Sequence, residues 1–391
     1  MTTESKTVTL NMGPQHPSTH GVLRVVVELD GEQVVSATPE VGYLHTGIEK
    51  TMESKLYYKA LPCTDRMDYL APMSNNLGYS LAVEKLMNIE VPDKVKWARV
   101  CLAELTRINS HLVWLGTHAL DLGAMSMLLY TFRERELIID IYEACSGQRM
   151  MSSYIRIGGL AHELPPDFDK KVRNMVKTIG EQLEDYERLL TKNEIFRSRT
   201  RGVAVISAED AINLSLTGPM LRGSGVKHDL RKANPYSGYE NFDFEIAVGT
   251  HGDAYDRYLL RLKEIRESLK ICQQAVDGMP EGPYRAHVPG VVLPPKEDIM
   301  YKMESMIFHF KIITEGFSPP LGAVYQAIES PKGELGFYIS SDGSNKPHRV
   351  RVRPPSFINL AALPTLCEGR LFSDVVCAIG SIDIVLGEVD R

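Results

Sequence analysis

A long helical repeat in the first third of the chain constrains the fold more than any other feature of the sequence. After Pro92-Asp93, residues that suit a buried face recur every three or four positions, until the glycines at Gly116 and Gly123. They are Val95, Ala98, Leu102, Leu105, Asn109 and Leu112. Because an apolar stripe of this length must be covered by other elements, the pattern predicts a central, mostly buried helix.

Four further helical patterns follow, and strand-like runs lie towards both ends of the sequence. Helices are predicted from about 126 to 147, after Pro165-Pro166-Asp167, from about 253 to 276 and from about 298 to 314. Val22–Leu29 and Gln33–Thr38 flank Asp30-Gly31, which predicts a β-hairpin. Three later runs predict an antiparallel meander, and they are Ala323–Glu329, Glu334–Ser341 and His348–Arg353.

The predicted fold is therefore α+β and mainly α, a long-helix bundle with antiparallel strands in its N-terminal and C-terminal parts. Neither a repeat nor a linker divides the sequence, so a single domain over residues 1–391 is expected. Its expected parts are a β-hairpin at about 1–45, a helical core at about 66–315, a β-meander at about 320–355 and an apolar C-terminal segment at 356–391.

Charge and apolar content exclude several classes of protein. A formal net charge of −6 argues against general nucleic-acid binding through phosphate contacts. No apolar run reaches the roughly 18 residues of a membrane-spanning helix, and the first residues lack the pattern of a secretory signal. The six cysteines form no C-x-x-C pair, so they are expected to be small buried side chains. We expect a cytosolic chain whose link to any membrane comes through a partner.

Motifs for nucleotide and metal chemistry are incomplete. Gly223 and Gly225 begin a possible dinucleotide fingerprint, but His228 stands where its third glycine would fall, so a turn is expected there. His111 and His118 lie about 10.5 Å apart along the predicted helix, too far to share one ion. The His16 and His20 pair contains a proline and no glutamate between its members, which argues against a zincin-type helix. We therefore predict that this chain itself binds neither nicotinamide nor metal.

Three arginines alternate along the last predicted strand. Arg349, Arg351 and Arg353 fall on one face of it, because side chains two residues apart point the same way. A charged sheet edge that discourages aggregation and a docking surface for a partner both remain open.

Many segments, in the same order along the whole chain, carry a family resemblance. They include Gly13–Gly21, Gly42–Lys50, Arg66–Leu70, Phe132–Glu136, Tyr154–Gly159, Ser237–Glu240, Glu329–Gly336 and Ser381–Asp383. Through these segments the sequence resembles the quinone-site subunit family of respiratory complex I, in the form found in bacterial NADH:quinone oxidoreductases. The resemblance implies the terminal electron transfer to quinone in a proton-pumping complex.

The same resemblance implies the site residues. His20 and Tyr69 match residues that hydrogen-bond the quinone headgroup, Asp121 matches the carboxylate that pairs with that histidine, and Thr117 matches a further pocket residue. Reduction of a quinone adds two electrons and two protons at opposite oxygens of a flat ring. An imidazole with a pKa near 6.5 and a phenol with a pKa near 10 can donate hydrogen bonds and then protons there. A neighbouring carboxylate favours the charged imidazole.

The family is also similar to the large subunit of nickel-iron hydrogenases, whose metal is held by two C-x-x-C pairs. The matching positions are Asp68, Ala71, Val385 and Glu388, so all four thiolates are absent. Without soft ligands a nickel site is not expected, and the former metal cavity is predicted to hold the quinone.

The resemblance also implies partners. Electrons would come from an iron-sulfur cluster on an adjoining small subunit, and quinone would enter from a membrane subunit, with NADH bound elsewhere among the peripheral-arm subunits. The chain would then lie at the cytoplasmic face of the bacterial inner membrane. Met150-Met151 after Gln148-Arg149 replaces a histidine frequent in relatives, and Thr46 replaces an arginine of mitochondrial ones.

Other interpretations remain open from the sequence. One is a purely architectural subunit without catalytic residues, and another is a quinone-reducing complex whose electron donor is not NADH. The sequence does not discriminate ubiquinone from menaquinone.

Overall fold

The computed structural model describes residues 7–16 and 21–391, and these form a mainly helical α+β fold with small antiparallel sheets. The strands are β1 (Val8–Met12), β2 (Arg24–Asp30), β3 (Gln33–Glu40), β4 (Ile155–Arg156), β5 (Gly159–Leu160), β6 (Gly322–Ser330), β7 (Gly333–Ser341) and β8 (Arg349–Arg353).

The helices precede, separate and follow these strands. They are α1 (Ile48–Ser54), α2 (Tyr57–Thr64), α3 (Pro72–Met87), α4 (Asp93–Asp121), α5 (Met125–Ser146), α6 (Phe168–Tyr186), α7 (Glu194–Thr200), α8 (Ala208–Asn213), α9 (Pro219–Gly223), α10 (Leu230–Ala233), α11 (Ala254–Gly278), α12 (Lys296–Tyr301), α13 (Met303–Thr314), α14 (Pro355–Leu360), α15 (Leu363–Cys367), α16 (Phe372–Ile382) and α17 (Leu386–Asp390). The predicted fold class is confirmed.

The N-terminal sheet has the order β1-β2-β3, with antiparallel pairs throughout. The predicted hairpin is confirmed, since Asp30 pairs with Gln33 and Gly31 takes a φ of 64° in the turn. The strand β1 was not predicted. Val25 and Val27 are buried on one face of β2, where the C-terminal helices complete a second apolar core. The two ends of the described chain therefore pack together.

The central helix is confirmed as α4, which is 29 residues long and buried along most of its length. It packs against α3, α5, α11 and α16, so it forms the axis of the larger core. The predicted helices at 126–147, after Pro165 and at 253–276 are present as α5, α6 and α11. A continuous helix at 298–314 was wrong, because Lys302 adopts an extended conformation and divides α12 from α13.

The predicted meander is confirmed as the sheet β6-β7-β8, with β8 at its edge. Glu53 and Glu49 of α1 accept hydrogen bonds from the backbone N–H groups of Val350 and Val352 in β8. The alternating arginines point away from that sheet's buried face. Their partners are Glu53 for Arg349, Glu49 for Arg351 and Glu334 for Arg353. They form a charged edge whose ion pairs are made within this chain.

Candidate active site

A cavity of about 660 Å³ lies beside Tyr69, in the loop between α2 and α3. Its volume is within the range of small-molecule sites, roughly 300 to 1,000 Å³. Its lining includes Leu44, Ile48 and Met151, and the cations Lys55, Lys59 and Arg66 also reach it. The cavity is thus mostly apolar with positive charge at its wall, which suits a flat apolar ring that gains negative charge.

The backbone on either side of Tyr69 is fixed by polar side chains. The Asp68 carboxylate accepts a hydrogen bond from the Leu70 N–H at 3.1 Å, and Asn109 of α4 donates to the Leu70 carbonyl at 3.0 Å. On the other side, a Cβ at Gly387 would lie 2.6 Å from the Met67 carbonyl oxygen and 3.5 Å from Cδ1 of Tyr69. Only glycine lets α17 approach the Met67 backbone so closely, and this contact places α17 beside the Tyr69 ring.

The Tyr69 hydroxyl makes no hydrogen bond to a residue in the described ranges 7–16 and 21–391. Burial raises the pKa of this phenol, Asp68 raises it further, and Lys332 opposes the rise. The phenol therefore stays protonated near neutral pH, with its donor available to a ligand in the cavity.

The other predicted residues are distributed differently. His20 lies outside the described residues, so its pairing with Asp121 stays a prediction. Thr117 on α4 donates its hydroxyl to the carbonyl oxygens of Val113 and Trp114. Neither Thr117 nor Asp121 lines the Tyr69 cavity. Their roles towards a quinone also stay predictions.

Asp121 is the last residue of α4 and is half-buried. Its carboxylate forms no hydrogen bond or ion pair with the residues that the structure describes. Burial raises its pKa from 3.8 to about 6. A carboxyl that titrates this close to neutrality suits a group that exchanges protons.

A buried set of charges behind Tyr69 was missed by sequence reasoning. We call Asp68, Lys332, Asp383 and Glu388 the Lys332 cluster. The Lys332 ammonium lies 2.9 Å from Asp68 Oδ2 and 2.9 Å from Ser110 Oγ, and its side chain is fully buried. No local pattern indicates this burial, because a lysine in a Pro-Lys-Gly turn between strands is usually exposed.

The two remaining carboxylates of the Lys332 cluster are also buried. Glu388 Oε2 accepts hydrogen bonds from the N–H and hydroxyl of Ser356 in α14. Asp383 follows α16 and lies 4.0 Å from the Arg261 guanidinium of α11. Burial raises the pKa of Glu388 to about 7, Asp68 adds to the rise, and Lys332 opposes it. Burial raises the pKa of Asp383 to about 6, against the effects of Lys332 and Arg261.

A second set of buried charges, which we call the arginine network, joins α4 to α9, α10, α11 and β6. Arg222 lies 2.7 Å from both Glu264 and Glu329, and Arg231 lies 2.7 Å from Asp229 and 3.1 Å from Glu104. The complete set is Glu104, Arg107, Arg222, Asp229, Arg231, Glu264 and Glu329. Each carboxylate in this set lies against at least one guanidinium.

The arginine network keeps most of its acids ionised. Burial alone would raise the pKa of Glu104, but Arg107 and Arg231 lower it to about 2. The pKa values of Asp229 and Glu264 are also lowered by neighbouring arginines, against the effect of burial. Glu329 is the exception, because burial and repulsion from Asp229 raise its pKa.

Neither a metal centre nor a membrane span is present in the part of the chain that the structure describes. There, no group of three or more His, Cys, Asp or Glu side chains is placed to hold a metal ion. The positions that match hydrogenase ligands carry Asp68 and Glu388, and an ammonium group, Lys332, lies against Asp68. In the same residues, no helix is both long and apolar enough to cross a bilayer.

Comparison with known proteins identifies relatives along almost the whole chain. It is 58% identical to the NADH-quinone oxidoreductase D subunit 2 of Koribacter versatilis over 388 residues, which are 99% of this chain and 97% of that protein. It is 57% identical to the corresponding D subunit of Geotalea uraniireducens, with 98% of each chain covered. The D subunit 2 of Chloroflexus aurantiacus is 59% identical, over 99% of this chain and 95% of that protein.

A family model agrees with these relatives. The model described as the respiratory-chain NADH dehydrogenase 49 kDa subunit matches residues 121–391. The chain therefore belongs to the family of this complex I subunit, which the resemblance in its sequence predicted.

Proposed function

We propose that this chain forms the quinone-reduction site of a proton-translocating NADH:quinone oxidoreductase. The observation that carries the proposal is the cavity of about 660 Å³ with the Tyr69 phenol in its wall. The relatives, which are named as D subunits of NADH-quinone oxidoreductases, support the class of reaction. An architectural subunit would not need a donor hydroxyl at a mostly apolar cavity.

In this proposal Tyr69 binds one quinone oxygen and acts as an acid towards it. As electrons arrive, the oxygen becomes more negative, so the hydrogen bond from the phenol strengthens and its proton is transferred. Lys55, Lys59 and Arg66 at the cavity wall stabilise the developing charge. His20 serves the opposite oxygen, Asp121 sets the charge of that imidazole, and Thr117 contacts the ring or its tail.

Electrons come from an iron-sulfur cluster on an adjoining small subunit. Of the six cysteines of this chain, five are buried and Cys63 is half-buried, and burial raises the pKa of Cys145, Cys367 and Cys377 to about 12. Such thiols are poor ligands, because iron binds the thiolate. NADH binds elsewhere in the complex, and quinone enters from a membrane subunit. The chain lies peripherally at the cytoplasmic face of the bacterial inner membrane.

The test is Tyr69→Phe in the assembled complex, with Tyr338→Phe on the exposed face of β7 as the matched control. Because general acid catalysis contributes about 100-fold or more, we expect quinone reduction to fall at least tenfold in Tyr69→Phe only. NADH oxidation by ferricyanide, an acceptor that does not need the quinone, should be unchanged in both variants. Normal quinone turnover in Tyr69→Phe would overturn the proposal.

Two further measurements address the remaining alternatives. A photoactivatable quinone should label the peptide that contains residues 57–70, whereas label confined to other subunits would favour a purely architectural role. A complex that reduces quinone but does not oxidise NADH with ferricyanide would point to a different electron donor.

A further inference from the structure

The Lys332 cluster is adjacent to the wall of the Tyr69 cavity. Asp68 immediately precedes Tyr69, and Glu388 immediately follows Gly387, which lines the same cavity. Gly387 is also where α17 packs closely on the Met67 backbone, two residues before Tyr69. The side chains of Asp68 and Glu388 are nevertheless buried, so they lie behind the wall of the cavity.

The charges of the cluster do not balance. It has three buried carboxyl groups against one ammonium, and the Arg261 guanidinium approaches only Asp383, at 4.0 Å. An uncompensated buried charge costs several kcal/mol, so the cluster lowers its free energy by keeping a carboxyl protonated. The groups that face Glu388 or Asp383 are Asp68, Lys332, Arg261, Ser356 and the half-buried Arg391, which also interacts with Glu49.

The hydrogen bonds of Glu388 indicate that its ionised form is costly. Glu388 Oε2 accepts both donors of Ser356, while Glu388 Oε1 is buried and has no hydrogen-bond partner among the described residues. Asp383 Oδ2 likewise has no hydrogen-bond partner in those ranges. A buried carboxylate oxygen without a donor is costly, whereas a protonated one carries no charge.

We propose that a proton held on Glu388 allows Tyr69 to carry the charge of a phenolate during quinone reduction. When the Tyr69 O–H bond breaks and a new O–H bond forms on the reduced quinone, a negative charge appears beside the Lys332 cluster. A neutral Glu388 leaves Lys332 able to offset that charge, but an ionised Glu388 competes for the same ammonium. The phenolate then regains a proton from water, and Glu388 keeps its own.

Glu388 is therefore a positioning residue, since it acts through Tyr69 and touches no quinone in this scheme. The inference rests on the proposed function, which supplies the quinone and its two electrons from the iron-sulfur donor. The pKa of Glu388, raised to about 7, places the change of its charge in the physiological range. Quinone reduction should then slow as the pH rises through that range.

The test is the pH profile of quinone reduction by the assembled complex carrying Glu388→Gln, with a water-soluble short-chain quinone as the substrate. Glutamine imitates the protonated acid, so we expect near-normal turnover at pH 6 and an alkaline limb moved up by about one pH unit. Asp383→Asn should move the limb in the same direction by less. Glu281→Gln, at an exposed position, is the control and should leave the profile unchanged.

The outcomes separate this inference from the proposed function. An alkaline limb that stays in place in Glu388→Gln, or turnover lost at every pH while ferricyanide reduction persists, would overturn it. Should Glu388→Gln fail to assemble, the Asp383→Asn profile decides in the same way. If Tyr69→Phe is inactive and these profiles do not move, only the role of Glu388 fails; if Tyr69→Phe is fully active, the proposed quinone site itself fails.

Discussion

The arginine network and the Lys332 cluster are both buried and charged, yet Glu104 in the first and Glu388 in the second are held in opposite states. In the arginine network, neighbouring guanidinium groups lower the pKa of Glu104 to about 2. In the Lys332 cluster, burial with a single ammonium raises the pKa of Glu388 to about 7. The difference shows that burial alone does not decide ionisation, because the number and kind of neighbouring cations do. Glu104 therefore stays ionised between its arginines, whereas Glu388 can change its charge near neutral pH.

The largest expected effect comes from removing a guanidinium of the arginine network. Arg222→Met leaves Glu264 and Glu329 buried without their main partner, which should destabilise the helical core by about 3–5 kcal/mol. Amide hydrogen exchange along α4 and α11 in the purified complex measures the loss. Arg188→Met removes an exposed ion pair on the surface and serves as the control. Unchanged protection in Arg222→Met would remove the distinction between the two regions.

Lys332→Met removes the cation of the Lys332 cluster and should lower the free energy of unfolding by less than Arg222→Met does. Asp383 and Glu388 can take up protons when the ammonium is lost, so we expect the free energy of unfolding to fall by only about 1–3 kcal/mol. The loss should grow between pH 6 and pH 8, where those acids would otherwise ionise. Exchange of the β6 and β7 amides reports it. A loss equal to that of Arg222→Met and independent of pH would contradict the comparison.

The pH dependence of stability should also distinguish the regions. The pKa of Glu388 is raised from 4.5 to about 7, so the folded state binds more protons and this group's contribution to stability is lost as the pH rises through that window. Glu104, with its pKa lowered to about 2, contributes stability that is lost as the pH falls below about 4.5. Glu388→Gln should therefore reduce the loss of unfolding free energy between about pH 4.5 and pH 7 by about 1 kcal/mol or more. The loss of unfolding free energy at lower pH should be unchanged. Amide exchange at several pH values, corrected for intrinsic rates, provides the measurement. If the loss of unfolding free energy towards neutral pH is the same in Glu388→Gln, Glu388 does not titrate there.

The smallest effect is expected at the surface. Arg349 is half-exposed and pairs with Glu53 at 3.0 Å, so Arg349→Gln should change stability by less than about 0.5 kcal/mol. Protection of the β8 amides is the readout. A loss above about 1 kcal/mol would mean that this edge pair is energetically similar to the buried ones.

The sequence predicted those elements whose signal is local. The helix α4 follows from apolar spacing alone, and the hairpin β2-β3 from Asp30-Gly31 between alternating runs. The predicted helix at 298–314 failed at Lys302, since apolar side chains in this segment are exposed and no buried face holds a single helix together. The local sequence pattern did not indicate that the helix would be interrupted in this exposed segment.

The candidate site was only partly predictable. Tyr69 came from the family resemblance, because a tyrosine before a helix has no distinctive local pattern. The Lys332 cluster depends on contacts between distant positions: Asp68 and Lys332 are separated by 264 residues in the sequence. No periodicity or motif records such a pairing, and a lysine in a turn gives no sign that it will be fully buried.

The two short helices on either side of Lys302, α12 and α13, affect the solubility of the isolated chain. Met303, Met306 and Phe310 of α13 are each at least 60% exposed, and Met300 and Tyr301 of α12 are more than 70% exposed. Exposed apolar side chains of this kind promote self-association in water. A preparation of the chain by itself should therefore precipitate as its concentration rises, and production together with the rest of its assembly, or in mild detergent, should keep it in solution.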